Sequence, residues 1–165
     1  MIILGIDPGL ATLGWGVIEA ERGKKPRLID YGCIITTPKQ RFPERLKQIN
    51  ADMHTLLTRF APAEIAFEEL FFAKNVTTAF TVGAARGVSI AVCAEYSDLL
   101  YEYTPMQVKQ AVAGYGGADK AQVQQMVKLL LGMNEIVRPD DAADAIAIAL
   151  THAATGASKV QFEMK

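Results

Sequence analysis

The sequence has little cysteine, no long apolar segment and no excess of one charge. Its 165 residues include only two cysteines, Cys33 and Cys93. Neither has another Cys or His at metal-ligand spacing, which argues against zinc and favours two small buried side chains in a reducing compartment. No stretch of about 18 or more residues is apolar and uncharged, and the first residues lack the features of a signal peptide. We therefore expect a cytoplasmic protein with no membrane partner.

The length and the composition favour a single folded domain. Half of the residues are hydrophobic and 21% are charged, which provides a packed core and argues against disorder. The 17 basic and 18 acidic residues give a net charge of −1. Taken alone, this balance predicts neither a nucleic acid nor a membrane surface as a partner.

Five short segments rich in aliphatic, β-branched or aromatic residues predict strands. The first, Ile2 to Ile6, is wholly apolar and ends in the turn residues Asp7, Pro8 and Gly9, as expected for a strand buried on both faces. The next two are joined by a short basic turn and predict an antiparallel meander. The other four predicted strands cover residues 15–19, 28–36, 64–68 and 99–104.

Other segments show helical periodicity or helix-end signals. Apolar residues within 46–60 fall on one helical face, and the segment 75–96 has many small side chains that would let another element approach closely. Two further helices follow residue 104. A last helix is predicted over 140–154, because Pro139 precedes it and Gly156 follows it.

Three strands followed by helices alternating with strands predict an α/β fold. We expect a five-stranded mixed sheet flanked by helices on both faces. The pattern contains no internal repeat or linker, so one domain is predicted over residues 1–156, with a short mobile tail over 157–165.

Acidic residues stand where predicted strands end. Asp7 closes the first strand and Glu68 with Glu69 closes the fourth, and ligand sites of open α/β sheets lie off such carboxyl ends. Asp7 by itself is equally typical of a turn before Pro-Gly. Successive residues of a strand point to opposite faces, so only one of Glu68 and Glu69 is expected to face a site.

The last predicted helix starts with three acids, Asp140, Asp141 and Asp144. Residues three or four apart share a helical face, so Asp144 pairs with either of the others. Acids are common in a first helical turn, but Asp144 lies beyond the cap and leads into an apolar stripe, which favours a semi-buried site. Carboxylates without Cys or His favour Mg²⁺ or Mn²⁺, and two such ions would suit phosphodiester hydrolysis.

Five segments resemble, in order and spacing, the motifs of the RuvC family of Holliday junction resolvases. These segments are Ile3 to Gly9, Phe67 to Asn75, Gly83 to Gly87, Gln107 to Gln110 and Asp141 to Ala145. The resemblance covers nearly the whole chain. It implies an RNase H-like fold, a homodimer, and Mg²⁺-dependent paired cuts in opposite strands of a four-way DNA junction during recombination and repair. It also suggests a branch-migration helicase complex as a further partner.

Position by position, the resemblance assigns the catalytic and metal-binding carboxylates to Asp7, Glu68, Asp141 and Asp144. It therefore selects Glu68 over Glu69 and Asp141 over Asp140, a choice that spacing leaves open. Two Mg²⁺ ions per site are implied, with Mn²⁺ as a substitute.

The resemblance also implies contacts with DNA. Lys120 matches a catalytic lysine near the scissile phosphate, and Lys109 matches another basic position of the site. Phe71 matches an aromatic residue that contacts bases near the junction centre, and Phe72 beside it is a second candidate. Lys74 is expected to join this group of DNA-binding residues.

Two other functions fit parts of the pattern. An actin-like phosphotransferase would use the Asp7 turn to hold phosphate, but it needs two such domains and this length provides one, so we expect no nucleotide binding. A junction-binding protein without catalysis would lack one of the carboxylates, and none is missing. His54 and His152 are interpreted as ordinary helix residues, because His152 would lie roughly 16 Å along the helix from Asp141.

The distribution of charge qualifies the near-neutral total. Six of the 18 acids belong to the predicted site segments, which leaves 12 acidic against 17 basic residues elsewhere. Residues 20–60 contain nine Lys or Arg and four Asp or Glu. We therefore expect metal binding, or neutralisation of the site carboxylates, to improve binding of junction DNA at low salt.

Overall fold

The five predicted strands form one mixed sheet in the computed structural model, which describes residues 1–69 and 76–165. The strands are β1 (Ile2–Asp7), β2 (Thr12–Glu19), β3 (Arg27–Ile35), β4 (Glu64–Glu68) and β5 (Leu100–Tyr103). Their order in the sheet is β3-β2-β1-β4-β5. The first three strands form the predicted antiparallel meander, whereas β1, β4 and β5 run parallel. The carboxyl ends of β1, β3, β4 and β5 therefore share one edge of the sheet.

Helices cover both faces of this sheet, as the sequence predicts. They are α1 (Phe42–Phe60), α2 (Val76–Tyr96), α3 (Pro105–Ala113), α4 (Lys120–Leu131) and α5 (Asp140–Thr155). One core lies between the sheet and α1 with α2, and a second core lies between the sheet and α3, α4 and α5. Among the described residues, no helix is long and apolar enough to cross a membrane.

Local sequence explains where several helices begin. Thr104 accepts a hydrogen bond from the backbone N–H of Gln107 at the start of α3, and Asp119 does the same for Gln122 at the start of α4. Such caps satisfy backbone donors that a helix leaves free at its first turn. The start of α4 fixes Lys120 at the first helical position.

The central helix α5 lies unusually close to the sheet because β1 and β2 present glycines to it. A methyl group added at Gly5 would overlap the carbonyl of Ala145, and one added at Gly14 would overlap the carbonyl of Asp141. One added at Gly16 would meet the side chain of Ile146. The sheet therefore holds the acidic first turn of α5 directly over the end of β1.

The end of the chain differs from the predicted mobile tail. Residues Gly156–Phe162 form a 3₁₀ helix, and the ring of Phe162 lies 4.8 Å from that of Tyr103, centroid to centroid. The N–H of Met164 donates to the carbonyl of Leu100 at 2.8 Å. Because β5 is an edge strand, its free backbone groups offer a partner to this segment.

Candidate active site

The four predicted carboxylates lie at one edge of the sheet. Asp7 and Glu68 end the neighbouring parallel strands β1 and β4, which pair from Ile3 with Glu64 to Ile6 with Phe67. Asp7 also pairs with Gly14, where the first turn of α5 packs. The carboxyl group of Asp7 consequently interacts electrostatically with Glu68, Asp141 and Asp144.

Burial makes this edge unfavourable for negative charge. Burial is the main cause that raises the pKa of Asp7 to about 8, and the charges of Glu68, Asp144 and Asp141 add to it against the opposing charge of Lys120. A raised pKa means that the folded protein favours the protonated acid or a neutralising cation. The edge is therefore suited to bind positive charge.

Burial also raises the pKa values of Glu68 and Asp144. Burial raises the pKa of Glu68, as does the charge of Asp144, while Lys120 and Lys109 lower it. Burial likewise raises the pKa of Asp144, although its hydrogen bond with Lys120 opposes the shift. Three of the four carboxyl groups thus carry a cost that a bound cation would relieve.

Two lysines face this carboxylate group. The Nζ of Lys120 lies 2.9 Å from Asp144 and 3.7 Å from Asp140. Burial alone would lower the pKa of Lys120, but the hydrogen bond with Asp144 raises it, so the ammonium stays charged. Lys109 lines the same cavity of about 270 Å³ as Glu68, Lys120 and Asp144. The fold therefore brings these predicted site residues together beside one opening.

The structure also separates the acids that the sequence leaves as alternatives. Glu68 is half-buried, whereas Glu69 is exposed and its N–H donates to the carbonyl of Tyr103. Asp140 is paired with Arg138 and lies 3.7 Å from the Nζ of Lys120, and its charge acts on Asp144 but not on Asp7. This placement favours Glu68 and Asp141 for the site. The predicted DNA-contacting residues Phe71, Phe72 and Lys74 lie outside the described residues.

The donor set fits a hard divalent cation, because only carboxylate oxygens are offered. Across residues 1–69 and 76–165, no group of three or more Asp, Glu, His or Cys side chains is arranged closely enough to hold a metal ion. Mg²⁺ is commonly held by one or two carboxylates and keeps several waters, so an open arrangement of acids suits it. The residues that would hold it are Asp7, Glu68, Asp141 and Asp144.

Sequence reasoning missed the residues that position α5. Gly14 and Gly16 of β2 both face this helix, and glycine at alternate positions of a strand is the signal that marks such a face.

The two cysteines differ in burial. Cys33 of β3 pairs with Gly14 of β2. It is half-buried, and burial together with the nearby charge of Asp141 raises its thiol pKa to about 11, so it stays protonated. Cys93 is buried, as predicted.

His152 is more than the ordinary helix residue that the sequence suggests. Its side chain is fully buried at the far end of α5. The hydroxyl of Tyr103 donates to Nδ1 at 2.7 Å, and Nε2 donates to Glu64 at 2.7 Å, which is the neutral tautomer that satisfies both partners. Burial lowers the pKa of His152 despite Glu64. Lys159 also binds Glu64, so the network ties α5 to β4, β5 and the end of the chain.

His54, by contrast, is exposed on α1, where the distance from its Nε2 to Glu95 is 3.7 Å. It lies on the face of the sheet opposite α5. The interpretation of His54 as an ordinary helix residue agrees with this position.

The sheet order and the carboxylates at the ends of β1 and β4 define an RNase H-like domain with a candidate nuclease site. The family model described as "Crossover junction endodeoxyribonuclease RuvC" matches residues 3–152. A curated relative with that name from Alkaliphilus oremlandii is 51% identical over 165 residues, which cover 100% of both chains. The chain belongs to the RuvC family of crossover junction endodeoxyribonucleases. It is a hydrolase that acts on DNA phosphodiester bonds.

Solved structures agree with this assignment. "Thermus thermophilus RuvC structure" is similar with a TM-score of 0.88 and 41% identity over 99% of this chain and 98% of that chain. "T. thermophilus RuvC in complex with Holliday junction substrate" gives a TM-score of 0.90 and 38% identity over 99% of this chain and 100% of that chain. The fold prediction is therefore confirmed together with the family.

Proposed function

We propose that this chain resolves four-way DNA junctions by paired, metal-dependent hydrolysis in opposite strands, during homologous recombination and DNA repair. The observation that carries the proposal is the partly buried group of four interacting carboxylates beside a cavity that two lysines line. The likeness to a RuvC structure that contains a Holliday junction supports the choice of DNA substrate. We propose the bacterial cytosol as the compartment in which it acts.

Asp7, Glu68, Asp141 and Asp144 would hold Mg²⁺, with two ions per site and Mn²⁺ as a substitute. Bound there, the metal supplies activation of the attacking water and stabilisation of the leaving oxygen. The raised pKa of Asp7, about 8, means that this side chain gives up a proton when it becomes a ligand.

Lys120 and Lys109 would receive the phosphate. The Nζ of Lys120 is 2.9 Å from Asp144, so it lies beside the carboxylates and lines the cavity. A divalent cation on Asp144 would compete with this ion pair and free the ammonium for a phosphate oxygen. Lys109 lines the same cavity and would bind a neighbouring phosphate. Phe71 and Lys74 complete the proposed DNA contacts.

Paired cuts require two sites, and the outer face of α2 offers a surface for a second copy. Phe80 is 77% exposed, and a side chain at Gly83 or Gly87 would meet no described atom within 4 Å. These three positions follow helical spacing. Each glycine costs a helix about 1 kcal/mol relative to alanine, a cost that close approach of another helix would explain. We infer a homodimer joined through this face, with a branch-migration helicase complex as a further partner.

A synthetic four-way junction tests the proposed activity. With Mg²⁺, the wild type should cut two opposite strands, whereas a linear duplex of the same sequence should stay intact. Asp7→Asn should bind the junction without cutting it. Asp98→Asn is the matched control, because it makes the same change in the connection before β5, away from the carboxylate group, and it should still cut. A wild type that binds the junction and never cuts it would defeat the proposal in favour of a non-catalytic junction-binding protein.

A further inference from the structure

Eight of the nine basic residues in segment 20–60 fall into two groups at opposite edges of the sheet. The turn between β2 and β3 lies at the edge away from the site, and it carries Arg22, Lys24, Lys25 and Arg27. The loop after β3 and the first turns of α1 lie at the site edge, since β1 and β3 end at the same side. They carry Lys39, Arg41, Arg45 and Lys47.

The loop after β3 is fixed to the turn that follows Asp7. The hydroxyl of Thr36 donates to the carbonyl of Leu10 at 2.6 Å, and the N–H of Thr36 donates to the carbonyl of Ala11 at 3.0 Å. The Nε of Arg45 in turn donates to the hydroxyl of Thr36 at 2.7 Å. The loop and the start of α1 therefore keep a fixed position relative to the carboxylates.

The strand register gives an approximate distance between the loop after β3 and Asp7. Asp7 pairs with Gly14, and Gly14 pairs with Cys33, two residues before the end of β3. With neighbouring strands about 4.8 Å apart and about 3.4 Å per residue, the loop starts roughly 10–15 Å from Asp7. Duplex DNA carries one negative charge per about 1.7 Å of its axis, so an arm passes several phosphates over this distance.

Most of these basic side chains form no ion pair with a described residue. Lys39 and Lys47 are exposed and form no hydrogen bond or salt bridge with any residue in the described ranges. Glu44, the only acid between residues 36 and 48, is already bound by Arg41 at 2.6 Å. The Nε of Arg45 donates to a neutral hydroxyl, and Arg45 forms no salt bridge with an acid of the described ranges.

The polar residues around these cations hold the loop in place. The side chain of Gln40 donates to Gln48 at 2.8 Å, and Gln48 donates to the carbonyl of Ile35 at 3.0 Å. Lys39 and Lys47 each precede one member of this pair in the sequence. They are therefore presented from an ordered surface.

We propose that Lys39, Arg45 and Lys47 form a second DNA surface, which binds backbone phosphates of the duplex arm that extends from the cleavage site. The inference rests on the proposed junction substrate. The positive charge of this surface and its position beside the carboxylates favour duplex DNA as the bound partner. No base-specific contact is needed, since phosphate contacts position DNA without reading its sequence. The hairpin at the other edge is not part of this surface.

The salt dependence of binding tests this surface. The double variant Lys39→Gln, Lys47→Gln is compared with the control double variant Arg22→Gln, Lys25→Gln, which removes the same charge at the opposite edge. Binding of a fluorescent four-way junction is measured by anisotropy in EDTA over a range of KCl concentrations. The slope of log K against log salt should become shallower by about 0.9 for each phosphate that the first variant no longer binds. The control should keep the wild-type slope and its cutting activity with Mg²⁺.

Junctions with progressively shorter arms locate the second DNA surface. The difference between the wild type and the Lys39, Lys47 variant should disappear once the arms end before this surface. A wild-type slope in this variant, an equal change in the control, or a difference that persists on the shortest arms would overturn the inference while the junction-cutting function stands. A wild type that neither binds nor cuts the junction would overturn both.

Discussion

At the scale of single residues, folding places Asp7 where its ionised carboxylate is energetically unfavourable. Burial and the three neighbouring carboxylates raise its pKa to about 8, far above the ordinary value of an aspartic acid. The sequence shows an acid at the end of an apolar strand and predicts a candidate site. It cannot show the cost, because the burial and the neighbouring charges come from β4 and α5.

Replacement of Asp7 should reveal this cost as a pH-dependent change in stability. Between the unfolded pKa of 3.8 and the folded pKa of about 8, the folded state binds more protons than the unfolded state. Stability from this group therefore falls as pH rises through that window. In metal-free buffer, we expect Asp7→Asn to raise the melting temperature above that of the wild type at pH 8, with the gain shrinking towards pH 4.

Thermal unfolding followed by circular dichroism at a series of pH values measures this effect. Asp98→Asn is a control, because Asp98 lies in the connection before β5 and away from the carboxylate group. Adding Mg²⁺ should reverse the order and make the wild type the more stable protein, since binding to the folded state alone stabilises it. Equal pH profiles for the wild type and Asp7→Asn would contradict a raised pKa at this residue.

At the scale of elements, α5 is held at both ends. Its first turn packs on Gly14, which places Asp141 over β1, and His152 near its last turn is bonded to Tyr103 of β5 and Glu64 of β4. The strands that receive the His152 network also carry Glu68 or lie beside it. The position of the acids of α5 relative to Glu68 thus depends on contacts along the whole helix.

A methyl group at Gly14 should disturb this arrangement. Because it would overlap the backbone of Asp141 rather than a flexible side chain, we expect Gly14→Ala to cost about 1–3 kcal/mol of stability. The helix start would shift, and a misplacement of about 1 Å at a site can lower a rate by about 10²-fold. The measurements are chemical denaturation and single-turnover cutting of a four-way junction.

Gly117→Ala serves as the control for this substitution. A methyl group there would lie 3.6 Å from the ring of Tyr115, an ordinary contact distance. It should leave both stability and cutting close to the wild type. If Gly14→Ala cut as fast as the wild type, close packing of α5 on β2 would not be what positions Asp141.

Sequence periodicity predicted the elements well, and the places where it fell short have a common cause. The strands and helices follow from local patterns of apolar residues, whereas the seating of residues 157–165 on β5 depends on an edge strand some sixty residues earlier. The buried role of His152 likewise needs Tyr103 and Glu64, which are distant in the sequence. Patterns within one segment cannot report such partners.

At the scale of the whole molecule, one face of α2 has no partner within the described chain. Phe80 is 77% exposed beside the open positions of Gly83 and Gly87. If this face joins two copies, Phe80→Glu places a charge in the interface and should convert a dimer into a monomer. Sedimentation velocity measures the change, and a monomer should lose the coordination of the two cuts, so that junctions nicked in one strand accumulate.

Leu129→Glu is the matched control, because Leu129 is 67% exposed on α4 and receives the same charge. It should leave the oligomeric state unchanged. A Phe80→Glu variant that sediments as the wild-type dimer would exclude this face, and a monomeric wild type would exclude the proposed dimer itself.

The distribution of charge separates what composition decides from what the fold decides. The near-zero total is a property of the composition, but the fold gathers four carboxylates at one edge and divides eight of the nine basic residues of segment 20–60 between two edges. Whether a basic side chain can bind DNA depends on its position and on its ion-pair partners, and the net charge reports neither.

The sequence by itself determined the elements, the α/β class and the candidate acids, because apolar periodicity, turn residues and the ends of strands are local properties of the chain. Family motifs in a fixed order selected among those acids. Only the tertiary structure decided that Asp7 lies partly buried beside three other carboxylates, that Gly14 lets α5 pack closely on β2, and that His152 links α5 to two strands. These depend on distances between residues far apart in the sequence, which are set when the sheet and its helices pack together.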